Sequence, residues 1–587
     1  MGLTRARTAA AGVALAVIAP LGWAGPANAA DTAAACADLE AVDIPAGDIG
    51  LPTSGGEVTD AAVVTASGTG ATSIGEYCEV SAALHPVDPA APDILVQVAL
   101  PTTWNQKALM FGGGGYNGTI PALDANVPFG PADELTPLGR GYATFASDSG
   151  HQAPPDFQPT TSLYGEFLAN DEALRNFAGD ALKKTRDAAV FLIGRYYDGT
   201  TPRQTYFAGG STGGREALAV AQRWGRDFDG VISVYPAFNA ATLDLYFGYA
   251  TRQLAAPGAF PRPAQQALLY GAVMTACDGL DGAGDGVISN EPACQFDPVV
   301  LRCPDGQDQG DTCLSDAQIT AVRAISSAIT FPYPLASGET GYPGFPFLSG
   351  AEMSTPLLGL GTTAPAEPMP ETAGYGMQFW DAWVKYAVTR DPAYDSLALD
   401  PLAPGPWQDR ISELTALQDV NSTDLRAFTT NGGRLLLLHG TADELVSHRA
   451  TVEYYDRLVQ AMGQREVDEF ARFYLVPGAN HANLMAAFAA GWDSLTALDR
   501  WVTTGVAPAH PVVRDNNPGA SRTRPLCEYP THPRYGGTGS PDFASSFDCV
   551  PPLPAKSITT TPVSRKSGQR SHHSRNCQHR PYMLVWI

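Results

Sequence analysis

Three side chains that together carry out acyl transfer occur in a fixed order along this chain. Ser211 lies within Gly209-Gly210-Ser211-Thr212-Gly213, Asp443 closes His439-Gly440-Thr441-Ala442-Asp443, and His481 closes Pro477-Gly478-Ala479-Asn480-His481. A serine hydroxyl is a weak nucleophile until a neighbouring base takes its proton, and a histidine needs a carboxylate to fix its tautomer and stabilise its cation. The spacing assigns Ser211 as nucleophile, His481 as base and Asp443 as the group that orients the base. A glycine run after an early strand-like segment, Gly112 to Gly115, supplies flexible backbone that can point N–H groups at an oxyanion. Thr212, which follows the nucleophile, and Gly114 are the expected donors. The run lacks the Lys and Ser/Thr of a phosphate-binding loop, so phosphate is a poor fit. His448, His510 and His532 lack a strand-end context, and His439 reads as part of the turn before Asp443. His151 reads as a site-lining or structural residue.

These side chains need strand ends to hold them. Ser211 follows the strand-like Gln204–Ala208 and precedes the helix-like Glu216–Trp224. A serine on a glycine turn between strand and helix is a nucleophile elbow, and the order Ser, Asp, His is that of an α/β-hydrolase. Further strands are expected at 91–100, 107–111, 141–146, 230–234, 434–440 and 471–476, and helices at 171–197 and 450–462. Alternating strands and helices predict a parallel sheet. Between about 240 and 422 the alternation stops, and a region rich in proline, aromatics and cysteine intervenes. The expected layout is a leader at 1–29, hydrolase domain at 30–240, an inserted lid at 241–424, hydrolase domain again at 425–555, and a basic tail at 556–587.

The leader has Arg5 and Arg7, an apolar stretch from Ala9 to Trp23 and a small-residue cleavage site at Ala27-Asn28-Ala29. That is the pattern of a secretory signal, and it predicts an extracellular protein. The tail carries six Lys/Arg and no acid, and reads as disordered. Setting aside those six and the two leader arginines, the remaining 29 basic residues face 60 acidic ones. A body this acidic repels nucleic acid and anionic membranes, so neither is an expected partner. Nine cysteines in an exported chain imply disulfides. Sequence proximity pairs Cys36–Cys78, Cys277–Cys294, Cys303–Cys313 and Cys527–Cys549, leaving Cys577 over.

Several longer stretches resemble the tannase and feruloyl esterase family, including its terephthalate-monoester hydrolase branch. They are Asn176-Phe177-Ala178 with Lys183-Lys184-Thr185-Arg186-Asp187, Ser211-Thr212-Gly213-Gly214-Arg215 and Asp227-Phe228-Asp229-Gly230. Arg522-Thr523-Arg524-Pro525-Leu526-Cys527 and Arg534-Tyr535 with Gly537 and Gly539 complete them. The resemblance spans about Cys36 to Cys549. It implies an α/β-hydrolase fold with a large lid and hydrolysis of aromatic carboxylic esters. It also implies a structural calcium ion in the lid, held by the side chains of Asp278, Asp281 and Asp285 and the carbonyls of Ala283 and Val287. Oxygen donors on a glycine-flexed loop suit a hard cation.

Two departures stand out. Most of the family has a cysteine before the nucleophile and another after the catalytic histidine, joined as a disulfide. Here those positions are Gly210 and Ala482, so the expectation is a triad held by packing and hydrogen bonds, less rigid but still hydrolytic. The second departure concerns charge. No Lys or Arg lies between Arg323 and Lys385, where the terephthalate branch places an arginine for the substrate's free carboxylate. Phe345, Phe347, Phe379 and Trp380 are the expected ring-binding residues. A neutral aromatic ester of the feruloyl or galloyl type is therefore the expected substrate, cleaved without organic cofactor. A terephthalate monoester is the alternative, and a secreted peptidase would use the same triad. A catalytically silent, calcium-stabilised binding protein is the alternative of another class.

Overall fold

The computed structural model describes residues 29–154 and 164–552 of the 587. The leader, the basic tail and Cys577 lie outside the described residues, apart from Ala29, which opens a short helix, Ala29–Ala37. Ten strands form one sheet: β1 (Asp43–Ile44), β2 (Gly56–Val64), β3 (Tyr77–Leu84), β4 (Ile94–Pro101), β5 (Lys107–Phe111), β6 (Ala143–Ser147), β7 (Gln204–Gly210), β8 (Gly230–Val234), β9 (Arg434–Gly440) and β10 (Ala471–Val476). Their spatial order is β1-β2-β3-β4-β6-β5-β7-β8-β9-β10. Strands β1 to β4 pair antiparallel, as does β4 with β6, and the remaining pairs are parallel. The central strands are apolar on both faces: β6 and β8 are buried throughout, and β7 and β9 at all but their first residue. A parallel sheet covered by helices on both sides requires that pattern.

Helix α1 (Ala181–Tyr196) lies inside the span expected for one longer helix. The backbone breaks at Gly179, whose φ of 145° no ordinary side chain adopts. A Cβ there would also sit 2.7 Å from the Arg223 guanidinium. The conspicuous Lys183-Lys184 pair has a structural explanation. Lys183 bridges Asp187 at 2.8 Å and Asp227 at 3.0 Å, while buried Lys184 reaches Asn176 at 3.1 Å and Glu172 at 3.4 Å. Helix α2 (Thr212–Arg223) starts at the residue after Ser211.

The insertion leaves the sheet after β8 and returns at β9, and these two strands are hydrogen-bonded neighbours. Its long helix α3 (Ala240–Ala255) packs against α4 (Tyr375–Ala382) so closely that a Cβ on Gly248 would lie 2.6 Å from the Trp380 ring. Trp380 and Trp383 belong to the same hydrophobic core as Phe207 and Leu435 of the sheet. Insertion and sheet are therefore packed together, and the described residues up to Pro551 form one compact unit.

All four pairings expected from proximity are present as disulfides: Cys36–Cys78, Cys277–Cys294, Cys303–Cys313 and Cys527–Cys549. The last ties Cys527 to the C-terminal hairpin of His532–Tyr535 and Phe547–Val550. A cross-link over a loop of this length stabilises by about 3 kcal/mol. Replacing Cys527 and Cys549 together by serine is therefore expected to lower the midpoint of thermal unfolding by several degrees, measured by circular dichroism against the parent under non-reducing conditions.

Candidate active site

The turn between β7 and α2 holds Ser211 at φ 60°, ψ −122°, a backbone region that non-glycine residues rarely occupy. Its neighbours have to be glycine. A Cβ on Gly209 would meet the Gly213 carbonyl oxygen at 2.2 Å, and one on Gly213 would meet the Gly113 oxygen at 2.7 Å. The reward is exposure of the serine hydroxyl at the C-terminal edge of the parallel strands, where the loops after β9 and β10 also end.

Those loops deliver Asp443 and His481. The His481 Nε2 lies 3.0 Å from Ser211 Oγ, and its Nδ1 lies 2.9 Å from Asp443 Oδ2. Asp443 is fully buried, and its other oxygen, Oδ1, accepts the N–H groups of Leu445 at 2.9 Å and Val446 at 2.7 Å. Burial alone would raise its pKa. Attraction to His481 and hydrogen bonds from His439 and His481 overcome this and hold the carboxyl below the usual carboxylate range. His439 is more than part of a turn. Its Nδ1 faces the Thr451 hydroxyl at 2.9 Å, and its Nε2 lies 3.2 Å from Asp443 Oδ2 and 2.9 Å from the Val446 carbonyl. With Thr451 donating to Nδ1, the Nε2–H faces two acceptors. Burial lowers the pKa of this ring, so it stays neutral.

Glu444 follows directly and behaves oppositely. Its carboxyl is buried beside Asp443, and both burial and that neighbouring charge push its pKa well up. It accepts the His481 N–H at 3.2 Å, so it braces the histidine loop from behind. Two adjacent carboxyls are thus pushed in opposite directions, which the sequence does not reveal.

The space beside Gly210 is filled. Tyr235, at the end of β8, is buried and lies 4.8 Å, centroid to centroid, from the His481 ring. It also packs on Phe129 at 5.0 Å. A Cβ on Gly210 would strike the Tyr235 ring at 2.5 Å. The looser triad expected from the missing cysteines is thus offset by an aromatic wedge against the histidine.

In the glycine loop, Gly112 N–H is spent on the Ala208 carbonyl at 2.9 Å and Gly113 N–H on Glu216 at 2.9 Å. Gly114 borders open space, since a Cβ there would meet nothing within 4 Å. The Thr212 hydroxyl donates to the Gly115 carbonyl at 2.6 Å, fastening this loop to the start of α2.

A cavity opens beside Ser211 and Thr212, walled by Tyr116, Phe177, Phe247 and Phe379 among others. Of the four residues expected to bind the ring, Phe379 lines this cavity. Phe345 and Phe347 line an adjoining apolar cavity, which also touches Phe247 and Leu445. Trp380 lines neither: it is fully buried and its Nε1 donates to the Ser396 carbonyl at 3.1 Å, so it is a packing residue of the insertion. Tyr116, Phe177 and Leu243 line the Ser211 cavity without any spacing signal to mark them. Nor does His151 line it: its ring is buried and stacked on Phe167 at 3.5 Å.

The acidic loop in the insertion is partly committed. Asp278 Oδ1 accepts the N–H groups of Gly286 at 3.0 Å and Val287 at 3.1 Å. Asp285 pairs with buried Arg524 and also accepts the Val287 N–H at 3.1 Å. Asp281 Oδ1 accepts from Ala283 at 2.9 Å. Its Oδ2 and the Ser289 hydroxyl are both buried without a well-formed hydrogen bond. An all-oxygen donor set of this kind would suit calcium, with the Asp281 oxygen available as a ligand. Among the described residues, however, no three acidic, histidine or cysteine side chains converge as a ready-made metal cluster.

Residues 78–550 match the family described as Tannase and feruloyl esterase. The chain belongs to this family. An uncharacterised esterase of Agrobacterium fabrum is 38% identical over 540 residues, which cover 90% of this chain and 94% of that one. The mono(2-hydroxyethyl) terephthalate hydrolase of Piscinibacter sakaiensis is 30% identical over 542 residues, covering 84% and 87%. The crystal structure of feruloyl esterase B from Aspergillus oryzae superposes with a TM-score of 0.71 at 23% identity, covering 88% of this chain and all of that one. That likeness concerns the fold, an α/β-hydrolase. As a member of the tannase and feruloyl esterase family, the protein is a carboxylic ester hydrolase.

Within that family, the wedge of Tyr235 yields a specific expectation. Gly210→Ala introduces a methyl group into the ring and costs about 1–3 kcal/mol by overpacking. It is expected to lower both the unfolding midpoint and ester turnover. Thermal melts and p-nitrophenyl ester assays on the variant and the parent check this.

Proposed function

We propose that the protein is a secreted serine esterase that cleaves aromatic carboxylic esters of the feruloyl or galloyl type through an acyl-enzyme. The observation that carries this reading is the unbroken chain Ser211–His481–Asp443, at 3.0 and 2.9 Å, opening on an aromatic-walled cavity. In the first half-reaction His481 Nε2 takes the proton as Ser211 Oγ attacks the ester carbonyl. The oxyanion is stabilised by the N–H groups of Thr212 and Gly114. As the intermediate collapses, His481 returns the proton to the leaving alcohol and the acyl group stays on Ser211. Water, deprotonated by the same histidine, then attacks the acyl-enzyme, and the acid leaves with Ser211 restored. Asp443 remains ionised throughout and stabilises the imidazolium.

The Piscinibacter relative supports a second reading, hydrolysis of a terephthalate monoester. The cavity favours the first: among its described lining residues there is no Lys or Arg to pair a ring carboxylate. Four disulfides and the leader-like N-terminus support export to an oxidising compartment. Methyl ferulate, methyl gallate and mono(2-hydroxyethyl) terephthalate, assayed side by side, test the substrate class. The expected order places the two neutral esters ahead. Ser211→Ala is expected to lower kcat at least about 10⁴-fold while leaving the fold intact. Equal rates for wild type and Ser211→Ala would remove the assignment.

We also propose that the Asp278–Val287 loop holds a structural calcium ion, with Asp278, Asp281 and Asp285 and the carbonyls of Ala283 and Val287 as ligands. Such an ion would fasten the Cys277–Cys294 loop to Arg522 and Arg524, both of which contact Asp285. Ligands that bind only the folded state raise its stability. Chelation is expected to lower the unfolding midpoint, calcium to restore it, and Asp281→Asn to abolish the calcium-dependent increment. An unchanged midpoint after chelation would argue against the site.

A further inference from the structure

The cavity beside Ser211 contains one ionisable side chain that the catalytic steps leave idle. Asp244, on α3, lines it with only 4% of its surface exposed. Its Oδ2 lies 3.5 Å from the Tyr116 hydroxyl, at the outer limit of a hydrogen bond. The same hydroxyl faces the Phe379 carbonyl at 3.3 Å. A tyrosine has one proton to give, so Tyr116 cannot satisfy both acceptors. Both partners also line the cavity, as does Phe379 itself.

Among the described residues no salt bridge pairs this carboxyl. Arg215, whose charge acts on it, lies with its guanidinium 4.4 Å over the Phe177 ring and donates Nη2 to the Phe177 carbonyl at 2.7 Å. Burial and the nearby Asp419 push the Asp244 carboxyl well above its ordinary pKa, and the Tyr116 bond and Arg215 offset this only in part. Asp419 itself is raised to about 7 by burial, although Thr242 donates to it from hydroxyl and backbone. Burial and Asp419 thus favour the neutral form of Asp244, and in that form the carboxyl can both donate and accept.

A polar group in an apolar cavity costs free energy until a ligand pairs it. The ligand group that complements a neutral carboxyl and a tyrosine hydroxyl is a small neutral one that also donates and accepts. A ring hydroxyl meets that description. A ring carboxylate fits less well, because the described lining offers no Lys or Arg to balance its charge.

We infer that Asp244, together with the Tyr116 hydroxyl, is the specificity pair of this cavity and reads a hydroxyl group on the aromatic ring of the ester. The inference rests on the serine-esterase reading above and assigns the residues that recognise the ring of its substrate. It is tested with two esters that differ only in that hydroxyl, methyl 4-hydroxycinnamate and methyl cinnamate, measured as kcat/KM. Wild type is expected to prefer the hydroxylated ester by about tenfold or more, since a site built to bond a hydroxyl discriminates against the analogue lacking it. Asp244→Leu removes both donor and acceptor at similar size and is expected to bring the ratio close to one. Asp244→Asn keeps a neutral donor and acceptor and is expected to retain part of the preference. Tyr116→Phe gives an independent reading of the same ratio and is expected to lower it.

A wild type without preference, or an Asp244→Leu variant that loses rate on both esters while the ratio persists, would overturn the inference. The second result would assign Asp244 a packing role. If Asp244→Leu fails to fold, a ratio unchanged in both Asp244→Asn and Tyr116→Phe would overturn it equally. Failure of the underlying reading looks different: wild type would hydrolyse neither these esters nor p-nitrophenyl acetate.

Discussion

Four stretches of backbone meet within van der Waals distance around Ser211, and almost every other feature of the site follows from that crowding. The end of β7, the start of α2, the loop after β5 and the end of β8 come so close that Gly112, Gly209, Gly213 and Gly214 could not carry a methyl group without displacing backbone. In return Ser211 is held at a strained φ of 60°, with its hydroxyl clear of the sheet. The strain persists because the surroundings over-determine it: the Ser211 N–H is bonded to Val234 and its carbonyl to Arg215 and Ala237. A serine fixed this firmly offers the histidine only one direction of approach. The base must therefore come from a loop whose own position is equally fixed.

That second fixation is electrostatic. Asp443 is an ionised group with no access to water, a state that costs several kcal/mol unless it is fully bonded. Here its two oxygens receive two backbone N–H groups and face the ring nitrogens of two histidines. His439 and Thr451 do not touch the nucleophile, yet they keep a donor aimed at the carboxylate while His481 changes protonation. Glu444 shows how strongly the site selects one charge only. Placed beside Asp443 in the same burial, it is driven towards its neutral form and serves as a brace for the His481 backbone.

The sequence exposes the parts of this arrangement that repeat a local rule. Four of the seven expected strands match their observed spans, and a fifth, β7, starts as expected and runs on to Gly210. Short apolar runs closed by glycine leave little freedom in a parallel sheet. The antiparallel β2 and β3 are not among the expected strands, although each pairs with the next strand along the chain, because polar residues such as Glu57, Asp60, Glu79 and Ser81 interrupt their apolar runs. The long helix expected from 171 was broken by Gly179, where a tertiary contact with Arg223 overrides local periodicity. Ser211, Asp443 and His481 announce themselves by order and strand ends. Tyr235, Glu444 and the second role of His439 do not, because each depends on what lies across the sheet. The choice of ring-binding aromatics failed at Trp380 for a related reason. A tryptophan in a helix rich in apolar residues belongs to packing as readily as to a pocket, and only the partner surface, here Gly248, decides.

The insertion is best understood through that partner surface. It enters and leaves between two adjacent strands, so its ends are fixed within the width of one strand pair. Its core is continuous with that of the sheet, which joins the geometry of the cavity to the stability of the whole molecule. Phe247 and Asp244 are carried on α3 and Phe379 on α4, whereas Tyr116 and Phe177 come from loops and helices of the hydrolase side. Chemistry and selectivity are thereby assigned to different parts of the chain. The strand ends hold Ser211, His481 and Asp443 in hydrogen-bond contact. The two insertion helices wall the cavity beside them, and because their core is continuous with that of the sheet, a change in those walls bears on the whole molecule.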